Sequence, residues 1–279
     1  MKVGFIGVGN IGKPMAEQLA KPPFELTVFD VSPLAREAFA GKARLAASPE
    51  EVGRHADLVG ICVRHDADVT AVVTGSDGLL QSLAPGSVVA IHSTVRPATV
   101  RSLAEIGAAK GVIVIDAAVS GGPMGASARK LVSMVGGDAE AVERIRPLLD
   151  AFSGTIIHAG GIGMGMSLKL CNNLVTYMQL LSAIEGFGLA IAGGLDPKVL
   201  RDVMAANGNL TTAMGQYEDF CETGPARMGQ DAYLAFKDAT AGLAEKDLDF
   251  ALGFAADVNF TMKGTEAVRE LIRAGLRSR

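Results

Sequence analysis

Short apolar runs alternate with stretches of helical periodicity through the first half of the chain, and beyond residue 160 only the helical period remains. Lys2–Gly7, Glu25–Asp30, Leu58–Val63, Val88–His92, Val112–Ala117, Leu131–Val135 and Thr155–Ala159 read as strands. Helical patterns lie between them at Ile11–Lys21, after Ser32-Pro33, after Ser48-Pro49, and at Ala67–Val73, Ala98–Lys110 and Ala139–Phe152. Ser48-Pro49-Glu50-Glu51 is a capping box with proline at the first helical position. Alternation at this spacing predicts parallel pairing with helices on both faces of one sheet, and in such sheets ligands sit at the carboxyl ends of the strands.

A glycine cluster then opens a stretch from Met164 to Gly193 that has no proline and many good helix formers. It predicts one long helix, able to join two domains. At about 3.6 residues per turn, Lys169, Asn173 and Tyr177 share a stripe with Asn172 beside them, so an amine and an amide can reach one substrate. A lone helix lysine is ordinarily solvated, but the neighbours here are Met, Leu and Cys. Cys171 lies about 200° around the helix from Lys169 and is assigned to the core. Asp196-Pro197 starts another helix, and helical patterns run on to Arg277 with breaks at Gly208, around Gly224-Pro225 and near Asn259.

The first strand and helix enclose Gly7-x-Gly9-x-x-Gly12, which in that context marks a dinucleotide site. Gly7 permits the tight turn, Gly9 lets the backbone approach a pyrophosphate, and Gly12 lets helix pack on strand, while the helix N-terminus offers its N–H groups to the anion. Asn10 and Ile11, inside the turn, and Val63, at a strand end, join the cofactor-binding residues. Asp30 closes the second strand, eighteen residues after Gly12, where an acid accepts hydrogen bonds from ribose hydroxyls and repels a 2′-phosphate. It argues for NAD over NADP; a helix cap before Ser32-Pro33 is the alternative. Two strand ends carry polar groups, His92-Ser93-Thr94 and Asp116 through Ser120-Gly121-Gly122. The latter reads either as a carboxylate-binding concavity or as a plain turn. Arg64-His65-Asp66 has the look of a metal or triad fragment, but His65 has no second ligand at useful spacing.

Composition narrows the function. At 279 residues the chain suits two domains, with roughly 75% of the unfolded surface buried on folding. A net charge of −4 without a basic run argues against nucleic acid and anionic membrane as partners and for a small metabolite. Three cysteines, Cys62, Cys171 and Cys221, have no metal-ligand spacing with one another or with the four histidines. No metal is expected. No charged leader precedes the first strand, and the long apolar stretch carries Lys, Asn, Gln and Glu, so the expectation is a soluble, cytoplasmic protein.

With these pieces placed, the sequence resembles the β-hydroxyacid dehydrogenase family, which includes 3-hydroxyisobutyrate dehydrogenase and, more distantly, 6-phosphogluconate dehydrogenase. Four motifs carry the resemblance in the family's order: Gly4–Ala16 (GFIGVGNIGKPMA); Ser93-Thr94 with Asp116–Gly122 (DAAVSGG); Gly160-x-x-Gly163-x-Gly165-x-x-x-Lys169-x-x-x-Asn173; and Leu243–Leu248 (LAEKDL). The resemblance implies an α/β Rossmann-type domain at residues 1–162 and an all-helical substrate and oligomerisation domain at 163–279, joined by the long helix. It also implies assembly as dimers or tetramers and hydride transfer between nicotinamide and the β-carbon of a short hydroxy acid. Lys169 then matches the catalytic lysine, Asn173 the residue that orients substrate, and Ser120, Gly121 and Gly122 the carboxylate-binding segment. Thr94 and Lys246 match residues beside the nicotinamide. Ala118 departs from a common proline, and Arg129-Lys130 from a common Gly-Thr, which would suit either the surface or a more anionic substrate. The resemblance is faintest over Asn207–Phe236.

The chemistry fits independently, since alcohol oxidation needs a proton acceptor and an amine serves if burial brings its pKa toward neutrality. The expected activity is an NAD-dependent oxidoreductase acting on a small 3-hydroxy carboxylate or its semialdehyde. An imine reductase on the same fold and a non-catalytic dinucleotide-binding protein are the alternatives; Lys169 counts against the first, and Lys169, Asn173, Ser120 and Lys246 together count against the second.

Overall fold

The computed structural model describes residues 1–278, which form two compact units, Met1–Lys169 and Leu170 onward. The first is built on an eight-stranded sheet: β1 (Lys2–Ile6), β2 (Glu25–Phe29), β3 (Arg44–Leu45), β4 (Leu58–Ile61), β5 (Val88–Ile91), β6 (Ile113–Ser120), β7 (Leu131–Gly136) and β8 (Ser153–Gly160), in the order β3-β2-β1-β4-β5-β6-β7-β8. The order reverses between β1 and β4, which opens a crevice at their carboxyl ends. Helices α1 (Gly12–Leu19), α2 (Pro33–Glu37), α3 (Pro49–Arg54), α4 (Asp66–Thr74), α5 (Pro97–Ala108), α6 (Gly122–Ser127) and α7 (Ala139–Asp150) connect the strands. Alternation along β1 sends Val3 and Phe5 to one face, against Met15 and Leu19 of α1 and the Ile145 and Leu149 of α7; Ile6 faces the other, in the core formed with Val52, Val69 and Val100 of α3, α4 and α5.

Two features differ from the pattern read in the sequence. The sheet is not wholly parallel, because β6 and β7 pair antiparallel. Residues 121–130 are too few for a parallel crossover, which takes about a dozen residues or more. Within that connection the chain forms α6 rather than a plain turn, and β6 runs on to Ser120 rather than ending at Ala117.

One helix, α8 (Met164–Ala192), begins in the first unit and continues into the second, where α9 (Pro197–Ala206), α10 (Thr212–Met228), α11 (Gln230–Asp257) and α12 (Lys263–Arg277) follow. Tyr177, Leu181, Ile184 and Phe187 pack with Met214 and Tyr217 of α10, Ala241, Ala244 and Leu248 of α11, and Val268, Ile272 and Leu276 of α12. Pro225 does not break α10. The break falls at Gly229 (φ +84°), whereas Gly224 is small because a Cβ there would lie 2.8 Å from the Tyr233 ring. By length and composition α8 would suffice to cross a membrane, an 18-residue window of it reaching a mean hydropathy of 1.4, so the polar residues do not by themselves disqualify it. Its buried face nevertheless holds Lys169, Asn173 and Tyr177. Cys171 is exposed, not core: it lies on the side of α8 opposite Lys169.

Candidate active site

The three motif glycines divide their work as the turn requires. Gly7 has φ +89°, and a Cβ on it would sit 2.3 Å from the Cys62 carbonyl oxygen. At Gly12 a Cβ would meet the Gly7 carbonyl oxygen at 1.9 Å, so this glycine lets α1 start against the end of β1. Gly9 faces open space, the room that a backbone needs to approach a pyrophosphate. Beside it a cavity of about 730 Å³ is lined by Val8, Asn10, Lys13, Ser32, Leu34 and Ala35, and α1 begins at Gly12 with Ile11 before it supplying no side-chain cap. The turn, the uncapped helix start and the adjacent cavity fit a dinucleotide.

Asp30 stands where β2 ends and is not the cap of α2; that is Ser32, whose Oγ accepts the Ala35 N–H. The Asp30 carboxylate accepts the Val8 N–H through Oδ2 and the Ser32 N–H through Oδ1, both at 2.8 Å. It therefore ties the glycine turn to the second strand, with lone pairs left for ribose hydroxyls. Val63 donates its N–H to Ser93 Oγ at 2.8 Å, fixing the end of β4 to that of β5, with Thr94 next in the chain and half-buried.

His92, the first of that polar trio, belongs to the core. Its Nδ1 lies 2.8 Å from the Ala117 carbonyl oxygen, its ring stacks on Phe5 and meets Phe152 edge-on, and burial pushes its pKa down to about 4. Within Arg64-His65-Asp66 the aspartate has a structural task. Asp66 accepts the Arg96 N–H and the Thr99 hydroxyl, joining the start of α4 to that of α5. No metal-binding cluster occurs among the described residues. Burial pushes the Cys62 thiol up to about 12.

Ser120 closes β6 half-buried, and Gly121 (φ +122°) and Gly122 (φ +63°) turn the chain into α6 through backbone that only glycine adopts readily. Arg129, beyond α6, donates from Nε and Nη2 to the Ala151 and Asp150 carbonyls at 3.0 and 3.3 Å. It caps the C-terminal end of α7, which removes it as a candidate for a more anionic substrate.

Lys169 is 7% exposed, so the reading of a solvated helix lysine fails. One turn on, in the second unit, Asn173 is also buried and donates its amide to Asp247 Oδ2 at 2.7 Å. Tyr177, a further turn on, donates its hydroxyl to the same oxygen at 3.2 Å; burial first and the Asp247 charge second raise its pKa. Lys246 Nζ lies 3.3 Å from the other Asp247 oxygen and over the Phe250 ring. Asp247 thus gathers Asn173, Tyr177 and Lys246. Its position in the LAEKDL motif next to Lys246 does not reveal this role in the sequence, because its partner Asn173 lies 74 residues away.

Comparison with known proteins agrees with this geometry. Residues 2–161 match the family model described as the NAD-binding domain of 6-phosphogluconate dehydrogenase, and residues 163–279 match that described as NAD-binding of NADP-dependent 3-hydroxyisobutyrate dehydrogenase. An uncharacterised oxidoreductase of Mycobacterium tuberculosis is 37% identical over 99% of this chain and 93% of its own length. The NAD-dependent L-serine dehydrogenase of Pseudomonas aeruginosa is 36% identical (88% of this chain, 84% of that one), and its 3-hydroxyisobutyrate dehydrogenase 35% (92% and 86%). The solved 3-hydroxyisobutyrate dehydrogenase of M. tuberculosis with L-serine superimposes with a TM-score of 0.85 at 29% identity, covering 100% of this chain and 94% of that one. Imine reductases, such as that of Streptomyces aurantiacus at 21% identity and a TM-score of 0.69, share the fold. The chain therefore belongs to the β-hydroxyacid dehydrogenase family and is an NAD(P)-dependent dehydrogenase of the 3-hydroxyacid type.

Proposed function

We propose that this enzyme transfers hydride between NAD and a small 3-hydroxy carboxylic acid or its semialdehyde, with Lys169 as the general acid and base. The observation that carries the proposal is a buried lysine one helical turn from an amide that Asp247 holds in place. Both named Pseudomonas relatives act on a hydroxy acid whose hydroxyl lies on the third carbon, which favours that class. The backbone of Gly7, Gly9, Asn10, Ile11 and Gly12 together with Asp30 would hold NAD, with Val63, Thr94 and Lys246 assigned to its nicotinamide half, and the bound nicotinamide would supply the hydride acceptor or donor. As the carbinol C–H leaves as hydride, unprotonated Lys169 takes the hydroxyl proton onto Nζ; in reduction its ammonium returns the proton to the carbonyl oxygen. Asn173 orients the oxygen that gains or loses that proton. Ser120, Gly121 and Gly122 take the carboxylate.

General acid–base help supplies about 10²–10⁴-fold, so Lys169→Ala should lower kcat by that factor while NADH still binds. Lys169→Arg should fail nearly as badly, because a guanidinium stays protonated. A kcat within a few-fold of wild type in Lys169→Ala returns Lys169 to a structural role. Asp30 favours NAD by its charge beside the ribose, and Asp30→Ser should raise the use of NADP relative to NAD; a wild type that already prefers NADP contradicts the assignment.

Residues 1–162 serve as the dinucleotide-binding domain and 163–279 as the substrate and oligomerisation domain in this reading. Val175, Leu189 and Ile191 of α8 and Val199 and Val203 of α9 are large, apolar and exposed, which supports assembly as a homodimer or homotetramer. Sedimentation equilibrium checks this, and a monomer at micromolar concentration refutes it.

A further inference from the structure

Asp116 is wholly buried in β6, between Ile91 of β5 and Gly136 of β7. Its Oδ1 accepts the Gly163 N–H at 2.7 Å and its Oδ2 the Met166 N–H at 2.6 Å. These are donors from the residue before α8 and from its third residue, the two that a capping box satisfies from within a helix. Here a strand side chain supplies both acceptors. Burial raises the Asp116 pKa, and the amides of α8 oppose that rise. The surroundings are cut to fit the carboxylate. A Cβ on Gly136 would lie 2.5 Å from Asp116 Oδ1, and one on Gly165 would lie 2.4 Å from the Met134 carbonyl oxygen and 2.9 Å from Asp116 Oδ2. The first turn of α8 is therefore held against the β7 backbone, and Lys169 follows Met166 by three residues, less than one turn.

We propose that Asp116 is a positioning residue that sets the height and rotation of α8 on the sheet and thereby places Lys169 for proton transfer. This rests on the catalytic reading of Lys169.

Asp116→Asn keeps the side chain's shape but points an N–H at a helix N–H. Gly165→Ala leaves the carboxylate intact and pushes the helix start off β7. A displacement near 1 Å costs about 10²-fold, so each variant should lose kcat to that extent while NADH affinity stays within about twofold of wild type. In a Lys169→Ala background neither substitution should slow the enzyme further, since there is no amine left to misplace. Additional slowing in that background, or a kcat near wild type in Gly165→Ala, overturns the inference even if Asp116→Asn fails to fold. A Lys169→Ala enzyme that itself keeps its kcat instead overturns the catalytic reading on which the inference rests.

Discussion

Burial holds His92 neutral among Phe5, Phe152 and Ala117, and this has a measurable consequence. Its folded pKa is about 4 against an unfolded value of 6.5. Between those values the unfolded chain binds a proton that the folded chain refuses, so stability rises with pH across the window and is lost as pH falls through it. The loss should reach roughly 3 kcal/mol near pH 4. His92→Phe should lower the neutral-pH plateau by about 1 kcal/mol, through the hydrogen bond to Ala117, and remove this part of the slope. Urea titrations at several pH values measure both, and an unchanged slope contradicts the assignment. Asp247 makes a second residue-scale case. Asp247→Ala takes the shared acceptor from Asn173 and Tyr177, and urea unfolding should register a loss of about 1–3 kcal/mol. No loss would mean that the buried amide and hydroxyl find other partners. Neither result was readable from sequence: a histidine at a strand end looks the same whether its ring points to the core or to a ligand.

At the scale of elements, the sequence was most legible where a local rule acts alone. The helix from Met164 and the glycine turn after β1 follow from propensity and steric need within a few residues. Gly12→Ala should accordingly abolish NADH binding, because its Cβ would lie 1.9 Å from the Gly7 carbonyl oxygen and the turn would have to open. Fluorescence titration checks this, and wild-type affinity contradicts the role given to the turn. Where a choice depends on distant partners, the pattern was silent. The apolar run of β7 reads alike in a parallel or antiparallel pair, and only the short connection through α6 decides it. Asp116 reads in the sequence as the start of a polar strand end, whereas β6 continues past it and α8, 47 residues on, supplies its donors. Pro225 suggested a break, yet a single proline is accommodated within α10.

For the whole molecule, two family models in tandem span residues 2–161 and 163–279, and the architecture carries both a dinucleotide turn and a buried lysine. Under the proposed function, a 3-hydroxy carboxylate dehydrogenase is set apart from other oxidoreductases by that lysine acting together with Ser120–Gly122 as the carboxylate-holding segment. The substrate is the least legible feature, because the helical stretch over Asn207–Phe236 carries no recognisable motif. The most direct measurement is kcat/KM with NAD for 3-hydroxyisobutyrate and L-serine beside their methyl esters and a neutral alcohol of similar size. The account predicts turnover of at least one free acid and a loss of about 10²-fold or more for its ester, whose missing charge leaves the donors of Ser120, Gly121 and Gly122 unpaired. Equal kcat/KM for acid, ester and neutral alcohol would contradict it.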